Sequence, residues 1–512
     1  MDPITRQAIA VAAGAGGGDP LYVDDVFSTF LYEASGTTQA INNGIDLAGE
    51  GGMVWIKNRA NGSSFTNHTV VDSERIGSYG HKSVYPNLTE AEFNPTATSN
   101  AVVTSFSSNG FTRGGNGNVS NGTNVSWSFR KAPGFFDVVT YTGTGSVQNI
   151  SHSLGSTPGM IMVKHLNGTS DWSVWHRSLS VSQRSQLRLN TTSAEITTNT
   201  DYWGNTAPTS TQFTVGNSLL TGGNGQTYVA YVFAHDDQSF GTDGDEAIIK
   251  CGSYTGNGSG NGPVVNLGFE PQFLLTKKTS GGDAGTWTVL DNMRGINADG
   301  NAARLYPNTS DSESDATVLS LTSTGFQLKT AGNSYNANGA TYIYMAIRRP
   351  HKPPTAGTEV FAMDTGSSSS TIPTWDSGFT VDMAINHYPN SSGMNHVSAA
   401  RLMGANNLVP NNTNALGSNG NLTWDSNVGW GTTYNYNAYS YMFRRAPGFV
   451  DVVAYKGNGA NNHQIPHNLG VVPEFALFKE RNSTDSWVQF NDMNASTSVS
   501  YTHLTLPTIL RV

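Results

Sequence analysis

Four aromatic residues stand inside long polar loops, where rings among Asn, Thr and Ser could take up a sugar. Tyr202 and Trp203 lie in NTDYWGNTAP, and Tyr434 and Tyr436 lie in GTTYNYNAY. An exposed ring stacks on the apolar face of a sugar while nearby amides and hydroxyls bond its hydroxyl groups. The same rings also serve as anchors that pin a loop to its core, and residue type alone favours the anchor. A second recurring pair is a Lys followed by a Trp, at Lys164/Trp172, Lys277/Trp287 and Lys479/Trp487. The expectation is a Lys stem lying along a half-buried indole with its ammonium in water, rather than a ligand site on every copy. His152 and His467 occupy matching HSLG and HNLG turns, and Asn266 takes that place in a third NLG turn. Asn shares the hydrogen bonding of His but not its affinity for metals, so a turn bond is expected there. The connector HDDQSFGTDGDE (235–246) could attract calcium, but its spacing does not fit the helix-loop-helix calcium motif. It reads as a solvated linker.

Nucleophile and acid–base chemistry leave no comparable mark. No G-x-S-x-G stands in a strand-turn-helix setting, and paired carboxylates cannot be picked out without their separation in space. The single Cys251 excludes an intrachain disulfide; in IIKCGSY it reads as a buried, inert thiol. No catalytic residue, metal ligand or cofactor is assigned.

These residues are placed by a repeat. FRKAPGFFDVVTYTGTG (129–145) returns as FRRAPGFVDVVAYKGNG (443–459), with 12 of 17 positions identical. Weaker copies fill the gaps, each with an opening Tyr strand, an apolar run near Met53, Met160, Gln272 or Glu474, a late Phe after a polar turn, and an apolar closing strand. The reading is a leader (1–24), modules 25–133, 134–240, 246–350 and a divergent 358–447, and an incomplete module 448–498. Phe111, Phe213, Phe326 and Trp430 are expected at equivalent buried positions. Closing strands such as TYIYMAI are apolar on both alternating faces, as a strand buried on both sides requires. Clusters of Gly, Asn, Ser and Thr separate the runs as turns. The fold class expected is all-β: a tandem array of β-sandwich modules of about 100 residues each.

Composition narrows the partners. With 28 Lys and Arg among 512 residues and a net charge of −9, no basic stripe marks a nucleic-acid partner. No apolar run is long enough to span a membrane, and the Ala-rich start, with Asp2 beside it, makes a poor secretion signal. A flexible leader or docking peptide fits it better. The last residues break the pattern: VSYTHLTLPT (499–508) resembles a translated sequencing-library adaptor, so 499–512 reads as artefact and the natural protein as longer.

GGMVWIKNR, SFSSNGF, APGFFDVVTYTGTG and HSLGSTPGMIMVKH, with DPLYVDDVFSTFLY near the start, resemble an uncharacterised repeated domain of marine bacteriophage tail and virion proteins. The resemblance implies a non-enzymatic virion protein, a tail fibre or related appendage, presenting its modules to a bacterial surface glycan or receptor. Its expected partners are other tail proteins and copies of itself, as in a trimer. A concanavalin- or lectin-like sandwich is the matching guess for the fold. A surface-polysaccharide depolymerase on a similar sandwich and a secreted bacterial adhesin are the alternatives.

Overall fold

The computed structural model describes residues 19–60, 67–115, 121–181, 183–198, 201–280, 285–367, 372–389, 395–418, 420–432 and 438–491. Strands dominate it, and all the pairings between named strands are antiparallel. Four modules repeat one wiring. In the first, the opening strand Phe27–Ser35 pairs with the closing strand Asn121–Arg130, which pairs with the third strand Gly52–Asn58, which pairs with Thr69–Gly77. The same order runs through Phe136–Thr142, Thr227–Phe233, Met160–His165 and Ser173–His176 in the second module. It recurs through Ile249–Thr255, Thr341–Arg348, Pro271–Lys278 and Thr288–Asp291 in the third. The divergent fourth keeps it, with Phe361–Asp364, Tyr439–Phe443, Met383–His387 and Val397–Ala400.

A smaller sheet covers one face of each large one. Its second strand lies beside the strand that carries the late aromatic: Ile41 faces Phe111, Ile150 faces Phe213, Val265 faces Phe326, and Trp375 faces Trp430. All four late aromatics are buried, as the repeat predicts. The register locks here because slipping by one residue would turn each ring out into water.

In modules one to three the other face of the large sheet is covered too, and this explains the doubly apolar strands. In the first module Val54 and Ile56 point into the module's own sandwich with Phe111. Their neighbours Met53 and Trp55 point the opposite way, into a second core. In the third module Leu274 packs with Phe326, whereas Phe273 and Leu275 join that same second core. Modules one, two and three therefore turn their large sheets toward one another around a shared interior. Its aromatic heart crosses module boundaries, with Phe27 against Phe273 at 5.5 Å, Trp127 against Phe273 at 5.9 Å and Phe129 against Phe233 at 5.6 Å.

Two connecting pieces differ from expectation. The acidic connector is folded rather than a solvated linker: Phe240 is buried and bridges Glu246, and Asp236 and Glu246 pair with Lys250 and Arg348. In the fifth module the described strands are one hairpin, Phe475–Phe478 with Val488–Asn491, and Phe475, Leu477 and Val488 lie exposed. The segment 499–512 falls outside the described residues.

Candidate functional site

Tyr202 and Trp203 do not form the exposed platform that sugar stacking needs. Trp203 is 2% exposed and Tyr202 8%, and both belong to the shared core with Phe213. Their loop is pinned through the Tyr202 carbonyl, which accepts from Gly216 N (3.0 Å) and Thr221 Oγ1 (2.8 Å). The rings are anchors, because a loop this polar needs an apolar foot to hold its backbone on the sheet. Tyr434 and Tyr436 lie outside the described residues. The matching turns are what hydrogen bonding predicts: His152 Nδ1, His467 Nδ1 and Asn266 Oδ1 each accept from the backbone N–H two residues on, at 3.2, 3.3 and 2.9 Å. Cys251 is buried under apolar surroundings that push its thiol well above the ordinary range, as an inert thiol should be.

The lysines overturn the expected picture. Lys164 and Lys277 carry no ammonium in water; both are fully buried, as is Lys57 at the matching place in the first module. Each reaches across a module boundary to a carbonyl oxygen. Lys164 donates to Thr89 O (3.0 Å) in the first module, and Lys277 to Thr192 O (3.0 Å) in the second, each in the module before its own. Lys57, in the first module, donates to Ser310 O (3.4 Å) in the third. Burial pushes all three ammonium groups down to about 8.

The Trp that follows does the same. Trp172 Nε1 donates to Tyr85 O (2.9 Å) and Trp287 Nε1 to Arg188 O (2.8 Å), each in the preceding module. The first module carries His68 at this place, against the backbone of Tyr306 in the third. A reciprocal bond runs backwards across every boundary. Glu92 N donates to Leu166 O, Glu195 N to Thr279 O and Glu313 N to Arg59 O, where each acceptor stands two residues after a buried Lys. The contacts thus run second to first, third to second and first to third. They close a ring of three modules.

Charged groups seal the interior of the ring. Asp72 is fully buried and accepts from Tyr231 Oη of the second module (2.7 Å) and from Arg75 Nη2 (2.6 Å). The equivalent Asp291 accepts from Trp127 Nε1 of the first module (3.0 Å) and Arg294 Nε (2.6 Å). The second module has His176 there, donating through Nε2 to Tyr344 O of the third (3.1 Å) while Nδ1 accepts from Ser178 N. That pattern needs a neutral imidazole, and burial lowers its pKa to about 4. The titratable groups of the ring interior act as intermodule fasteners.

Sequence reasoning found the Lys, the Trp and their period. It missed that their partners lie in another module, because nothing in a single repeat encodes which neighbour its edge will meet.

Residues 23–350 match a family described as a domain of unknown function, DUF7483. The chain belongs to that family. The matched span begins at the short helix Val23–Val26 and ends two residues beyond the closing strand Thr341–Arg348, so it coincides with the closed three-module ring. No curated protein matches the sequence.

Proposed function

We propose that this chain is a structural protein of a bacteriophage virion, a tail fibre or related appendage, that presents its β-modules to a bacterial surface glycan. The observation that carries this reading is how the DUF7483 ring spends its chemistry. Its buried Lys, Asp, His and Trp groups are used to fasten module to module, as a load-carrying or display element requires. The resemblance of modules and leader to virion proteins of marine phages supports the setting, and tandem repetition suits weak contacts made many times over. Such a protein assembles with other tail proteins and stays outside the host membrane.

The test is adsorption. Labelled chain should bind host cells and the purified envelope polysaccharide, and virion proteomics should recover its peptides at structural abundance. A rise in reducing ends when polysaccharide and protein are incubated would instead establish a depolymerase. Recovery from cell envelopes of a phage-free bacterium would establish an adhesin.

A further inference from the structure

Modules four and five repeat the first two-thirds of a ring. Trp487 Nε1 donates to Val409 O of module four (3.2 Å), as Trp172 does to Tyr85 O. Leu416 N donates to Arg481 O (2.7 Å), as Glu92 N does to Leu166 O, and Arg481 again stands two residues after the Lys. The long sequence repeat agrees, since 443–459 copies the junction between modules one and two, not any other junction. Two sides of a prism are therefore joined by the Trp bond and the reciprocal backbone bond of the closed one, while Lys479 bonds Glu480 O and Ser483 O of its own module.

The third side is open. Phe361, Phe449, Phe475 and Leu477 are 40%, 41%, 56% and 53% exposed. By strand register and by the repeat they correspond to Phe27, Phe135, Met160 and Met162, which are at most 2% exposed inside the closed ring. At the far edge of module four, His387 and His396 stand at the places of Lys57 and His68, which in the ring meet module three. They stack on each other, with centroids 4.8 Å apart.

We propose that this open inner face is a docking surface for one more β-module of the same fold, joined in tandem as module three is joined to module two, and that its arrival closes a second three-sheet prism. The occupant must bring an apolar sheet face for the four rings and chains above. It must also bring a rim of backbone carbonyls, equivalent to Ser310 O, for the His387/His396 edge. In the closed ring module three supplies Phe273 against Phe27 and Ser310 O for Lys57.

The experiment grafts residues 177–350 behind Asn491 of the full chain, since Asn491 holds the place of His176. The unaltered chain should bind an apolar dye such as anilinonaphthalene sulfonate. In the graft the dye signal should fall severalfold, and amide exchange in Phe361–Asp364 and Phe475–Phe478 should slow by roughly tenfold or more. A folded graft with unchanged dye binding and exchange overturns the proposal. So does an unaltered chain that sediments as a dimer with those strands already protected, because a second copy would then be the occupant. If the graft does not fold, paired substitutions decide. Phe475→Ser with Leu477→Ser should leave the melting of the unaltered chain in place, whereas Met160→Ser with Met162→Ser should lower it; equal losses at both pairs would mean the face is already covered.

Discussion

A buried lysine whose ammonium bonds carbonyl oxygens ties stability to alkaline pH. Lys57, Lys164 and Lys277 release their protons near pH 8 in the folded ring, whereas an unfolded lysine holds its proton to about 10.4. Between those values the unfolded chain binds more protons, so stability rises with pH. Tyr141, Tyr231 and Tyr254 work the other way: burial holds their phenols well above the ordinary range, so the unfolded chain ionises first and stability falls above about pH 10. Melting temperatures scanned from pH 7 to 11 should therefore pass through a maximum near 9 to 10. A flat profile from 8 to 10 would show that the lysines are not desolvated as described. The tryptophans allow a paired test. Trp172→Phe and Trp287→Phe each strand one buried carbonyl, Tyr85 O or Arg188 O, and each should cost about 1–3 kcal/mol in denaturant titrations. The two losses should be similar, since the positions are equivalent.

Strands and loops show what the sequence could and could not disclose. The late aromatics were legible because one face of a short strand must be buried and the Phe or Trp marks it. Phe213→Ala or Phe326→Ala should cost about 3–5 kcal/mol, read as a shift in the unfolding midpoint. The loop holding Trp203 left two readings open, anchor or sugar platform, for a physical reason. A polar run carrying an aromatic pair looks the same whether the rings face water or the sheet, and only backbone closure through Gly216 and Thr221 separates the cases. Trp203→Ala should accordingly lower stability by a similar ~3–5 kcal/mol, rather than weakening cell binding alone. The Lys–Trp pair was legible as a motif and misplaced as a surface. Its spacing along one strand pair is local, while its acceptors Thr89 and Thr192 belong to loops of the module before. The doubly apolar closing strands were the available hint that a second core existed.

At the scale of the whole molecule, the second half of the array is tied to the ring by buried charge. Arg445 makes two bonds of 2.9 Å to Glu270 of module three and also approaches Asp382, while Arg349 reaches Asp451. Arg445 and Arg401 hold the Asp382 carboxyl below its usual range against burial. The stabilisation it gives is present above about pH 4 and is lost as acid protonates the folded carboxyl. Removing one partner, as in Glu270→Ala, takes from buried Arg445 the carboxylate that bonds both its terminal nitrogens and should cost about 3–5 kcal/mol. Calorimetry should show module four uncoupling from residues 23–350 as an earlier transition, more so at low pH. The ring itself has one more property. Asp24, next to its first residue, accepts from His351 N at 2.9 Å, so the two ends of the unit meet. A closed cycle with touching ends has no privileged starting point. Joining residue 350 to residue 23 and opening the chain between 240 and 246 should give a circular permutant with the same three contacts, and the order in which a ribosome delivers the modules would then be a matter of ancestry and not of architecture.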